Sequence, residues 1–171
     1  MKMWGVLSIC GLFSAPVWGD SSVNINIKGN LITNPPCDVY GDDGKGAPIR
    51  VRFDEVGIQR IDGVRFRQDW TLTVSCDETL GTNAAIELLY SGTPSLFDGK
   101  ALFTDKDGLG IRLYQKDGSG EPVGLNTPLT LKMPSNGEQK IFFYSVPVKD
   151  PKGALTAGKF TASATLALNY P

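Results

Sequence analysis

The sequence predicts an all-β domain, and three observations carry that expectation. Apolar and polar residues alternate at period two in several short runs, 20 glycines and 11 prolines fall between the runs, and no long window shows a 3.6-residue apolar period. With 171 residues the chain can bury one core of its own but falls short of two. No internal repeat and no dividing linker is visible.

The clearest strand lies at the C-terminus. Phe160, Ala162, Ala164, Leu166, Leu168 and Tyr170 form one apolar face, with Thr161, Ser163, Thr165, Ala167 and Asn169 between them. Such a strand, ending at Pro171, has no following strand to pair with. Its edge is therefore either flanked by earlier strands or open to another chain.

The remaining elements follow in order. Val23, Ile25, Ile27, Gly29 and Leu31 share one face of a strand that ends before Asn34-Pro35-Pro36, because proline cannot donate to a ladder. The cluster Gly41 to Gly46 is a loop, and Ile49 to Phe53 alternates as a strand. Trp70, Leu72, Val74 and Cys76 then point one way and Asp69, Thr71, Thr73 and Ser75 the other, which aims Cys76 at the core. Ala84 to Tyr90, Leu109 to Tyr114, Leu129 to Met133 and Ile141 to Val148 complete the set, with Ser91 to Gly99 read as a loop and Asp117-Gly118-Ser119-Gly120 as a turn. About seven strands at short spacing predict a β-sandwich of immunoglobulin type.

Composition excludes several functions. The net charge is −1 and no basic face interleaved with aromatics is present, so nucleic acid is not an expected partner. Histidine is absent, which removes the usual general base, the Ser-His-Asp and Cys-His arrangements and the commonest zinc ligand. No spacing of glutamates pairs an acid with a base. An enzyme is not expected, and neither is a metal or cofactor.

Residues 1–19 read as a secretory signal: Lys2 is the positive end, Trp4 to Phe13 the apolar stretch, and Ala15 to Gly19 the small-residue cleavage site. The stretch is too short to span a bilayer, which needs about 20 residues. A lipoprotein signal at Cys10 is disfavoured by the bulky Ile9. Cleavage after Gly19 removes Lys2 and takes the charge from −1 to −2. Two cysteines then remain, Cys37 and Cys76, and in an oxidising compartment the expectation is one disulfide rather than two free thiols.

Other candidate features have ordinary readings. Asp105-Lys106-Asp107-Gly108 resembles part of a calcium loop, but the downstream glutamate is missing and a hairpin turn is preferred. Asp42 and Asp43 are read as solvated carboxylates. Arg50, Arg52, Arg60, Arg65 and Arg67, interspersed with Asp54, Glu55, Asp62 and Asp69, are read as a solvated face.

The chain resembles pilin subunits of the chaperone–usher pathway over its whole exported length. The residues that carry the likeness are Gly158 fourteenth from the C-terminus, the penultimate Tyr170, Ala157-Gly158-Lys159-Phe160, Ala162-Ser163-Ala164-Thr165, Leu109-Gly110-Ile111-Arg112-Leu113, the paired cysteines, and Gly29 one strand length before Cys37. The resemblance implies an incomplete immunoglobulin-like β-sandwich, missing its C-terminal strand, with an N-terminal donor-strand extension. It divides the chain into a signal peptide (1–19), a donor extension (20–33) and a pilin domain (34–171). The implied donor residues are Val23, Ile25, Ile27, Gly29 and Leu31. The implied acceptor groove, also read by chaperone and usher, is formed by Gly158, Phe160, Ala162, Ala164, Leu166, Leu168, Tyr170 and Pro171.

A periplasmic chaperone would fill that groove first, and the extension of a neighbouring subunit would then replace it. The other implied partners are the outer-membrane usher and a tip adhesin, with the bacterial surface as destination. The short arm before Cys37, with Asn24-Ile25-Asn26-Ile27-Lys28-Gly29-Asn30 and Pro35-Pro36-Cys37, resembles the adaptor that joins adhesin to tip fibre in P-type pili. The alternatives are a major shaft pilin and a self-sufficient secreted sandwich binding carbohydrate through Trp70 or Tyr90.

Overall fold

The computed structural model describes residues 37–76, 85–134 and 137–169. Contacts divide the chain into Met1–Thr33 and Asn34–Pro171, and all described residues belong to the second unit. Among the described residues there are eight strands: β1 (Cys37–Tyr40), β2 (Gln68–Cys76), β3 (Ala85–Ser91), β4 (Ala101–Phe103), β5 (Leu109–Gln115), β6 (Pro128–Lys132), β7 (Glu138–Lys149) and β8 (Thr165–Asn169). The helical content of the described residues is one 3-10 turn, Ile58–Arg60. The all-β expectation holds.

Every ladder is antiparallel, and the strands form two sheets. One has the order β1-β2-β7-β5-β4, the other β6-β3-β8. The long strand β7 is the spine of the larger sheet, pairing with β2 along Gln68–Ser75 and with β5 along Leu109–Gln115. Period-two alternation places Leu72, Val74, Ile141, Phe143 and Leu113 on its inner face, all buried, where they meet Ile86, Leu88 and Leu131 of the smaller sheet. Trp70 stacks on Phe143 at 4.9 Å and its indole Nε1 donates to Ser145 Oγ at 3.1 Å. The indole thus buries its apolar body with its polar group satisfied.

Cys37 and Cys76 are register partners on β1 and β2 and form the expected disulfide, with Cα atoms 3.9 Å apart. Closing a loop with a sequence separation of 39 stabilises the fold by about 4 kcal/mol on the chain-entropy model.

Two expectations need correction, and one strand was not anticipated. Ile49–Phe53 alternates in exposure but belongs to no ladder. The C-terminal strand begins at Thr165 rather than Phe160, and Ala162 and Ala164 on its apolar face are exposed rather than buried. In both segments the side-chain pattern is that of a strand, while the neighbouring chain a ladder requires is missing beside it. Finally, β4 falls just after the stretch read as a loop. It is three residues long, too short for alternation to register, and exists because Ala101–Phe103 pairs with Gly110–Arg112 across the Asp105–Gly108 turn. That turn is the hairpin expected in place of a calcium loop, with Leu109 N–H donating to Lys106 C=O at 3.1 Å and Gly108 at φ 75°.

The five arginines at 50, 52, 60, 65 and 67 are exposed as expected. Arg67 lies over the Tyr144 ring at 3.8 Å and pairs with Asp69, which Lys116 also contacts at 2.9 Å. Those two cations, Lys116 foremost, hold the Asp69 carboxyl below its ordinary range.

Phe143 contributes the largest fully buried side chain. Phe143→Ala is expected to cost about 3–5 kcal/mol, read as a lowered urea midpoint, whereas Arg50→Ala on the exposed face should shift it within about 0.5 kcal/mol.

Candidate functional site

A groove with a cavity volume of about 1060 Å³ runs into the sandwich between the sheets. Trp70, Tyr90, Leu102, Ile111 and Leu113 contribute to its lining from strands of both sheets. Two segments outside any ladder also line it: Ile49, Val51 and Phe53 from one, Phe160, Ala162 and Ala164 from the other. The two segments touch through Phe53 and Phe160, whose ring centroids are 6.0 Å apart.

Apolar alternation serves the groove here. On 49–53 the odd residues are half-buried and Arg50 and Arg52 are exposed. On 160–168, Phe160, Leu166 and Leu168 pack against the core, while Ala162 and Ala164 stay exposed in the groove wall. An apolar strand face is thus left partly open to solvent.

Backbone polarity follows from the ladder. The Tyr90 carbonyl accepts from Asn126 N–H at 2.8 Å, on the β6 side of β3. Tyr90 therefore turns its backbone groups away from β8, and Tyr90↔Leu166 is a non-hydrogen-bonded pair. By the period of two, Thr165, Ala167 and Asn169 point their N–H and C=O groups at β3, and Leu166 and Leu168 point theirs at the open edge. Nothing among the described residues forms a ladder along that edge.

The residues before β8 are held from the β4–β5 turn. Thr161 N–H donates to Asp105 Oδ1 at 2.6 Å, Thr161 Oγ1 donates to Asp105 Oδ2 at 2.8 Å, and Asp105 N–H donates to Thr161 C=O at 3.1 Å. The Thr161 amide, with help from the hydroxyl, lowers the Asp105 carboxyl below its ordinary value. Lys106 Nζ donates to the Ala157 carbonyl at 3.2 Å. Gly158 between them has φ 145°, a backbone conformation that side-chain-bearing residues rarely adopt, so glycine meets a conformational demand.

Gly158, Phe160, Ala162, Ala164 and Leu166 are brought together in the groove wall. Leu168 packs on the core farther along β8 and is not part of the lining. Tyr170, Pro171 and the whole set Val23, Ile25, Ile27, Gly29 and Leu31 lie outside the described residues. Sequence reasoning missed the opposite rim, Ile49–Phe53, although its alternation was visible, because alternation does not say whether a ladder forms. It also missed the Asp105–Thr161 pairing, for which a separation of 56 residues leaves no local signal.

The rings a sugar-binding sandwich would use, Trp70 and Tyr90, line the groove itself. Trp70 is stacked inward on Phe143, and Tyr90 is only 7% exposed, its hydroxyl pushed up to about 12 by burial. Among the described residues no helix is long and apolar enough to cross a membrane.

Comparison with known proteins agrees with this architecture. The family model described as fimbrial protein matches residues 25–171. The fimbrial-like protein YfcQ of Escherichia coli (strain K12) is 33% identical over 148 residues, covering 86% of each chain. The fimbrial-like protein YfcR of the same organism is 29% identical over 167 residues, covering 96% of this chain and 89% of its own. Among solved structures, the P pilus adaptor subunit PapF superposes with a TM-score of 0.58 at 25% identity, over 80% of this chain and 97% of its own. The P pilus rod subunit PapA gives a TM-score of 0.61 at 22% identity, over 80% and 100%, and at that identity supports the fold. A sandwich with an open apolar groove, matched along its length by one family model and by relatives of its own size, leaves one assignment: the chain belongs to the fimbrial protein family, as a pilin subunit of the chaperone–usher type.

Proposed function

We propose that the chain is a structural pilus subunit that polymerises by donor-strand exchange. The observation that carries this reading is the apolar groove flanked by two segments that form no ladder. A strand laid between them would bury the exposed wall at Ala162 and Ala164 and pair with the open edge of β8. This is β-augmentation, with backbone bonds supplying adhesion and alternate side chains supplying register.

The donor is the segment 20–33 of a neighbouring subunit. Val23 to Leu31 presents five alternate positions, as does Phe160 to Leu168. At about 3.3 Å per residue, both stretches run to roughly 30 Å. Each buried aliphatic side chain contributes about 1.5–3 kcal/mol, so Val23, Ile25, Ile27 and Leu31 together outweigh what a polar strand offers. Gly29 matches a place where only backbone fits. A periplasmic chaperone fills the groove until exchange occurs at the outer-membrane usher. Within the pilus, the likeness to the PapF adaptor and the short arm before Cys37 favour a minor, tip-proximal position linking an adhesin to the fibre.

Expressed alone in a periplasm, the chain is expected to aggregate or be degraded, and to accumulate only with its chaperone. Quantifying soluble protein by immunoblot with and without the chaperone decides this, and a stable solitary monomer contradicts it. Gly29→Leu should abolish incorporation of the arm into a neighbour while leaving the disulfide and the thermal midpoint of the domain unchanged. Fibres assembled normally from that variant would displace the proposed register. Cross-linking within purified fibres should find this subunit at the tip, and contacts repeated along the shaft would assign it the rod role.

A further inference from the structure

We propose that Asp105 is a positioning residue for strand capture, standing in for the ladder partner that the rim of the groove lacks. The inference rests on the strand-exchange reading above and adds a residue to it.

The smaller sheet cannot support the rim along its full length. Strand β3 ends at Ser91, opposite Thr165, and the chain then leaves to pair with β4, where Phe103 N–H donates to the Thr93 carbonyl at 2.8 Å. Residues 160–164 would therefore hang free of the sheet. Asp105 takes over the role of β3. Its amide donates to Thr161 C=O at 3.1 Å and its carboxylate accepts from Thr161 N–H at 2.6 Å, one bond each way, as a hydrogen-bonded strand pair would make. A second carboxylate oxygen holds the Thr161 hydroxyl at 2.8 Å.

The support of Asp105 is itself rigid. Thr104, 1% exposed, bonds through its hydroxyl to the carbonyls of Lys106 and Leu109, both at 3.0 Å, and accepts the Lys106 N–H at 3.1 Å. The carboxylate is therefore presented from a braced turn.

Parity gives this pairing its consequence. Thr161 has the same parity as Thr165, Ala167 and Asn169, which face β3. With the Thr161 amide and carbonyl committed to Asp105, a chain that runs extended from Phe160 into β8 turns the backbone groups of Phe160 and Ala162 toward the groove, in phase with Leu166 and Leu168. Asp105 thereby extends the acceptor edge by two rungs, beyond the point where the sheet can template it. Without it, those residues must be ordered by the incoming strand, and that cost falls on binding.

The test uses the full chain and a fluorescent synthetic peptide with the sequence of residues 20–33. Asp105→Ala should bind the peptide about tenfold more weakly, as expected for losing hydrogen bonds to a charged group. Hydrogen exchange should show protection lost at 160–162 and retained at 165–169, with the thermal midpoint of the peptide-free chain nearly unchanged. Asp105→Asn, which keeps an acceptor for the amide and a donor for the hydroxyl oxygen, should restore near-wild-type affinity. Equal affinity of the alanine variant and the wild type overturns the inference and leaves strand exchange standing. Loss of protection across both sheets in that variant also overturns it, because Asp105 would then be a general structural residue. A wild-type chain that binds no peptide sinks the strand-exchange reading, and the inference with it.

Discussion

Each residue of an extended backbone carries a donor and an acceptor, and successive residues aim them at opposite edges. Along β8 one edge is satisfied by β3, while Leu166 and Leu168 turn their groups toward an edge on which no described strand lies. The same residues carry the apolar face. Hydrogen-bonding demand and hydrophobic demand therefore converge on one side of one strand, and one added strand meets both at once. The groove, the two rims and the exposed alanines at 162 and 164 are consequences of that unmet demand.

The remainder of the sandwich keeps this edge presentable. Strand β7 anchors the larger sheet, and Phe143, stacked on Trp70, fills the centre so that the floor under the groove is solid. The disulfide joins β1 to β2 at the edge of that sheet where β1 contacts β8. On the rim the backbone is held by side chains: Asp105 on Thr161, Lys106 on Ala157, with Gly158 adopting the turn between. An edge left open in this way is an aggregation hazard for a free chain. The strand exchange proposed above would turn that hazard into an assembly reaction.

Several parts of this arrangement were legible in the residues. Alternation marked the buried face of β2 and placed Leu166 and Leu168 on the apolar side of β8, because side-chain direction in a strand depends on the chain alone. The cysteine pair was legible because export and an even count leave few alternatives. The Asp105–Gly108 turn followed from its own composition. Pairing partners were not legible. Ile49–Phe53 and Phe160–Ala164 have the side-chain pattern of strands without a ladder, and the three residues of β4, just past the Ser91–Gly99 loop, are too few to show alternation.

The sequence by itself thus determined the side-chain parity of β2 and β8, the sites of several turns, and the family resemblance carried by Gly158, Tyr170 and the paired cysteines. Only the tertiary structure decided where the ladders stop. That depends on which segments come to lie about 5 Å apart, a property of contacts such as Thr161 with Asp105, 56 residues distant. Periodicity is local and pairing is not. Residues 160–164 lie outside the ladder because β3 turns away at Ser91 while the apolar pattern of the last strand runs on, and no window of the chain contains both facts.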